Sequence, residues 1–176
     1  MTSLDESTVR ISRGSATGSG FHFLRPDVIV TNHHVIAGDP KHVFADTESG
    51  EGRPLRLLGS EDESGYDFAS FETVGAVDAN RIPLQPPGTN GLPKRGSAVE
   101  FAGFPHGIGD LLVQRGTVAG FDADDSIYID ASVNGGSSGG PVVDPSTHEG
   151  VWSGRREAPG VARRCRLTLV SSRPPM

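Results

Sequence analysis

Asn134-Gly135-Gly136-Ser137-Ser138-Gly139-Gly140-Pro141 sets a serine among glycines and closes on Gly-Gly-Pro. A run of this kind presents a hydroxyl on a tight, exposed turn. Glycine accepts φ > 0 and lets the backbone come close to a substrate. Its N–H groups are free to converge on one spot, where a developing negative charge can sit. The same composition also describes an ordinary solvated turn, so its meaning depends on what else the chain carries.

Two further segments give it meaning. Val28-Ile29-Val30-Thr31-Asn32-His33-His34-Val35 is an apolar, β-branched run that ends in histidines, and Tyr66-Asp67-Phe68-Ala69-Ser70-Phe71-Glu72 sets one carboxylate at the head of an alternating strand pattern. The chain order is His, Asp, Ser. With Gly18-Ser19-Gly20-Phe21, these segments resemble the trypsin-like serine peptidases of the chymotrypsin fold, in the bacterial HtrA-like branch. That branch reads Gly-Ser-Gly-Phe, Thr-Asn-x-His-Val, Asp-Leu-Ala-x-Leu and Asn-x-Gly-x-Ser-Gly-Gly-Pro. The separations, 33 residues from His34 to Asp67 and 71 from Asp67 to Ser138, suit it, and the likeness covers roughly residues 9 to 152. No PDZ-like segment is expected after it.

The resemblance implies an all-β fold of two six-stranded antiparallel β-barrels with the active site in the cleft between them. Short alternating runs agree: Val9–Ile11, Gly20–Leu24, Val28–Thr31, His42–Ala45, Leu55–Leu58, Phe68–Glu72, Ala98–Gly103, Leu111–Val118, Ser126–Asp130 and Pro141–Val143 read as strands, and no segment sustains a helical period. The Pro- and Gly-rich stretch Pro83–Gly91 is the natural seam. It predicts an N-terminal barrel over 1–84, a linker over 85–92 and a C-terminal barrel over 93–176. The end departs from the family. Residues 1–154 carry a net charge of −11, whereas 155–176 carry six arginines and one acid, a net of +5. The match there is weak, which leaves the last strands of the second barrel, and one wall of the specificity pocket, open.

At 176 residues the chain is long enough to bury a core, and its formal charge of −6 gives no global case for nucleic-acid binding. No apolar run approaches the ~18 residues that span a bilayer, so no membrane partner is expected. Met1 to Arg13 lacks a basic segment followed by an apolar one, and the single cysteine, Cys165, excludes a disulfide within the chain. These features predict a cytoplasmic setting, or a segment of a longer protein.

A serine hydroxyl attacks well only when a base takes its proton, and histidine suits that task. A buried carboxylate on the other ring nitrogen fixes the tautomer and stabilises the imidazolium. The resemblance assigns Ser138 as nucleophile, His34 as general base and then acid, and Asp67 as the orienting carboxylate. Asp62 and Asp78 are rival acids. His33 precedes His34, and on a strand only one of two neighbours faces the cleft; the family register selects His34. The N–H groups of Gly136 and Ser138 are the expected oxyanion donors, and uncharged Ser132 the expected floor of the first pocket. Ser137 stands where zymogen-type relatives carry an aspartate, so activation by N-terminal cleavage is not expected. The histidines at 22, 42, 106 and 148 lack metal-ligand spacing and read as surface or satisfied core residues; no metal or cofactor is expected. The partner is a protein or peptide substrate.

Other readings fit less well. Gly136-Ser137-Ser138-Gly139-Gly140 also satisfies the Gly-x-Ser-x-Gly turn of α/β-hydrolases, but only His148 follows it, with no room for the remaining elements. The glycines of residues 14–20 lack the Lys-Ser/Thr of a phosphate loop. The remaining alternative is a protease-fold binding module that has lost catalysis through a degenerate second barrel.

Overall fold

A computed structural model of the protein describes residues 4–38, 41–46, 51–61, 67–78, 80–86, 93–121, 127–151 and 167–171, the last by backbone alone. A one-turn helix α1 (Leu4–Ser7) leads into β1 (Thr8–Arg13), β2 (Ala16–Phe23) and β3 (Arg25–Thr31). After a second one-turn helix, α2 (His33–Ile36), come β4 (Phe44–Asp46), β5 (Gly52–Glu61) and β6 (Phe68–Thr73). These six strands close into an antiparallel barrel in the order β1-β2-β3-β6-β5-β4, sealed where Ile11 and Ser12 pair with Ala45 and Phe44. The alternation legible in residues 68–72 is the cause of β6: Ala69, Phe71 and Thr73 point inward while Ser70 and Glu72 do not. The barrel core gathers Val9, Ile11, Ile29, Ile36, Leu55 and Phe71 with their neighbours. Each large side chain buried there contributes about 1.5–3 kcal/mol relative to exposure.

The second unit comprises β7 (Ala98–Gly103), β8 (Leu112–Phe121), β9 (Ile127–Ala131), β10 (Val142–Val143) and β11 (Leu167–Ser171). Among the described residues it is a five-stranded sheet in the order β10-β7-β8-β9-β11, not a closed barrel. The all-β fold and the first barrel are as expected, and the incompleteness falls at the C-terminal end that the sequence left open. There β11 runs parallel to β9, Leu167 opposite Ile127 through Ser171 opposite Ala131, where an antiparallel partner was expected. The Arg-rich segment between, with Cys165, lies outside the described residues, as do Asp62 and the linker positions 87–92.

A third apolar cluster joins the two units. Phe21 and Val30 of the barrel pack with Leu84, Ala102 and Val143. Leu84 is clipped to the barrel by its N–H to His22 O (2.9 Å) and by its carbonyl to Leu24 N (3.0 Å). The last residue of the expected N-terminal barrel is thus fastened to the end of β2.

His22 corrects one reading. It is a core residue, 4 % exposed, but its Nδ1 has no partner among the described residues. It lines a cavity of about 20 Å³ with Thr73, Asp78 and Arg81. Burial, and then the Arg81 guanidinium, push its pKa down to about 4 against a backbone hydrogen bond at Pro26 and the Asp78 carboxylate, with Arg53 adding a smaller lowering. The unfolded chain takes up this proton near pH ~6.5, so it binds more protons than the folded chain between those values. Stability is therefore complete above pH ~6.5 and falls as pH drops toward 4, by about 3 kcal/mol at most at 1.36 kcal/mol per pKa unit. Urea unfolding at a series of pH values is expected to show this slope, and His22→Leu is expected to flatten it.

Candidate active site

The site starts at the end of β3. The strand stops at Thr31, the end expected for Val28–Thr31, but the histidines read as alternate faces of a strand lie on α2. Val35 and Ile36 cause the turn to hold, because both are buried in the barrel core. The two histidines are therefore neighbours on a helical turn, not alternate faces of a strand. Asn32 stands at the N-cap position yet makes no side-chain cap; its Nδ2 donates to Asp67 O instead (2.7 Å).

The unpaired first-turn N–H of the helix is met from across the barrel. His34 N donates to Asp67 Oδ1 at 2.8 Å, while His34 Nδ1 lies 2.5 Å from Asp67 Oδ2. One carboxylate thus holds both the backbone and the ring of one histidine. A first-turn amide is an open donor by construction, and a carboxylate there is also favoured by the helix dipole. The expected buried acid is not found: the Asp67 side chain is 37 % exposed and that of His34 56 %. Solvent screening is larger than in a sealed triad, and the two-point grip supplies the orientation. The rival Asp78 is engaged elsewhere, 3.6 Å from Arg81 Nε at the cavity beside His22.

Ser138 reaches the same neighbourhood from the second unit. Its carbonyl accepts Ser19 N–H at 2.8 Å. Gly139 follows at φ +84°, and a Cβ there would lie 2.2 Å from Ser19 O, 2.3 Å from Thr31 Oγ1 and 3.0 Å from Asn32 N. Only glycine allows both this conformation and this approach. The residue after the candidate nucleophile is thus seated against the chain two residues before His34. The hydrogen bonds of His34 run to Asp67, and none joins its ring to Ser138 Oγ among the described residues. Such contacts are often loose without substrate.

The oxyanion segment is held from several sides. Gly136 has φ +95°. Gly135 O accepts His106 N–H at 2.7 Å and Ser137 O accepts Gly140 N–H at 3.1 Å. Ser137 is buried, and its Oγ has no partner among the described residues. Ser132 is exposed, and its carbonyl accepts Gln114 Nε2 at 3.1 Å. Phe101 is core as expected, but Phe104 is half-buried beneath the Arg10 guanidinium, 4.9 Å from its ring centre. Ser19, Thr31 and Asn32 had no assigned task in the sequence, although each lies within a motif that carried the resemblance.

The trypsin-like peptidase domain family matches residues 18–151. A probable periplasmic serine endoprotease, DegP-like, of Brucella suis biovar 1 is 32 % identical over 150 residues, covering 76 % of this chain and 26 % of the relative. A protein of the same name from Hahella chejuensis is 31 % identical over 134 residues, covering 72 % and 27 %. The chain thus spans about a quarter of the length of these relatives. The solved structure of the serine endoprotease from Yersinia pestis superposes with a TM-score of 0.65 at 24 % identity, covering 92 % of this chain and 59 % of that one, which supports the fold. The relatives' periplasmic names overturn the cytoplasmic expectation. A chain with one cysteine lacks an internal disulfide in any compartment, so that feature never discriminated. With the family matched over residues 18–151 and relatives above 30 % identity, the chain belongs to the trypsin-like serine peptidase family, in its HtrA-type branch.

Proposed function

We propose that this protein is a serine endopeptidase that cuts protein or peptide substrates through Ser138, His34 and Asp67. The observation that carries this reading is the double contact of Asp67 with His34, at its N–H and at its ring Nδ1. With Nδ1–H held by the carboxylate, the other ring nitrogen keeps its lone pair and can accept the hydroxyl proton. Ser138 Oγ attacks the scissile carbonyl. The oxyanion is taken by the N–H groups of Gly136 and Ser138, each worth about 3 kcal/mol in the transition state. Protonated His34 then passes its proton to the leaving amine. Water, activated by the same imidazole, releases the acyl group from Ser138.

Ser132 and the chain beyond Val151 would shape the first pocket, and uncharged Ser132 favours a small or medium apolar side chain over Lys or Arg. The division into barrels at residues 85–92 sets Ser138 on one unit and the other two groups on the other. A location outside the cytoplasm, as the relatives' names state for them, accompanies this reading.

One observation favours a second reading. Among the described residues the second sheet is open, with a parallel β11, and a protein of this fold could bind partners without cutting them. A fluorophosphonate probe separates the two. Stoichiometric labelling near pH 8 with casein hydrolysis is the expected result. Absence of both in folded protein would support the binding module.

A further inference from the structure

Ser19 is completely buried and joins four chain segments. Its N–H donates to Ser138 O (2.8 Å), and its Oγ donates to Gly136 O (2.8 Å) while accepting Phe104 N–H (2.9 Å). Its own carbonyl accepts Thr31 Oγ1 (2.6 Å), at the end of the strand that leads into His34. We propose that Ser19 is a positioning residue for the oxyanion donors, acting through the peptides that start at Gly136 and Ser138; this rests on the peptidase reading.

Each peptide is a rigid plane, so fixing its carbonyl also fixes its N–H. The expected donors, Gly136 N–H and Ser138 N–H, belong to the peptides that start at residues 135 and 137. Those planes are held by His106 and Gly140. The planes starting at 136 and 138 are both held by Ser19, hydroxyl to one and amide to the other, and the first is also tied by Ser137 N–H to Asn134 O at 3.3 Å. Gly136 lacks a Cβ and sits at φ +95°, so nothing in its own side chain resists rotation of the following peptide. A rotation there swings the donor planes on either side. The Ser19 hydroxyl opposes it with the shorter of the two bonds on that plane, and is anchored in turn because it donates to Gly136 O and accepts Phe104 N–H at the same time. The wall behind is closed: a Cβ at Gly103 would lie 3.0 Å from Ser19 Oγ and 2.8 Å from Ser137 Cα. Removal of the oxygen therefore leaves both partners facing a space that a second side chain cannot fill without displacement.

The test follows fluorophosphonate labelling kinetics, because the probe's phosphoryl oxygen needs the same donors and no substrate has to be known. Ser19→Ala is expected to lower the maximal labelling rate about 10- to 100-fold, below the effect of deleting an oxyanion donor outright. The half-saturating probe concentration should stay within about two-fold, and casein kcat should fall in parallel with KM unchanged. Ser19→Cys, which refills the volume with a weak donor, is expected to regain only part of the rate, and it carries the same test should the alanine variant not fold. A folded variant of either kind that labels at the wild-type maximal rate overturns the proposal, as does a lowered melting temperature with unchanged rate, which is what a merely structural serine gives. If the wild-type protein itself takes no label, the peptidase reading fails and the proposal with it. Labelled wild type beside equally fast variants sinks the positioning role only.

Discussion

Ser138→Ala is expected to lower kcat about 10⁴-fold or more and to abolish fluorophosphonate labelling. On the proposed reading this hydroxyl forms the acyl-enzyme, that of the neighbouring Ser137 being buried, and without it water must attack unaided by covalent catalysis. The substitution is also unusually clean. Ser138 is half-buried, its Oγ has no hydrogen bond among the described residues, and the contacts that seat the turn run through its backbone carbonyl and through Gly139. Stability should therefore change by no more than about 0.5 kcal/mol, as for substitutions away from structural features. The oxyanion segment survives, so residual hydrolysis above the uncatalysed rate is expected, together with unchanged affinity for peptide ligands. Retention of more than a few per cent of wild-type hydrolysis by the alanine variant would show that another residue is the nucleophile.

The parts of this architecture that were legible in the sequence are those set by side-chain period and by chain direction. The pattern of residues 68–72 had one solution as a strand with one buried face, and β7 matches its expected span, Ala98–Gly103. The helix α2 was not legible, because it follows directly on the apolar, β-branched run Val28–Thr31, and four residues are too few to show a helical period. Only the burial of Val35 and Ile36 decides it. The exposure of Asp67 was hidden for a different reason: whether a carboxylate at a strand head is covered depends on loops from elsewhere in the chain. His22 stands in a β2 run that alternates little, since five consecutive residues from Gly18 to His22 are buried. A strand buried on both faces, against barrel interior and second unit, conceals which side a polar residue takes. Ser19 was quoted for its glycine neighbours, yet its hydrogen bonds reach residues 85 to 119 positions away, which no local pattern reports.

Asp67→Asn tests the geometry of the base at nearly constant shape. The carboxylate now accepts from His34 N with Oδ1 and faces the ring Nδ1 with Oδ2. An amide offers one acceptor and one donor, and the backbone N–H, which cannot change its role, claims the acceptor. The amide NH₂ is then left facing Nδ1, which must become an acceptor, so the ring proton moves to the other nitrogen. A histidine in that tautomer cannot take the Ser138 proton. The expected result is a kcat about 10⁴-fold lower near neutral pH, with KM little changed, the loss associated with the same exchange in a triad of this type. Because Asp67 is 37 % exposed, water can compete for the amide more easily than in a sealed site, and a somewhat smaller loss than in buried triads is consistent with the mechanism. Imidazole NMR should show the tautomer exchange directly, with the melting temperature held within a few degrees by the surviving bonds from Asn32 and His34 N. Full activity in Asp67→Asn, with the variant's ring protonated on the Nδ1 side, would remove Asp67 from the catalytic assignment.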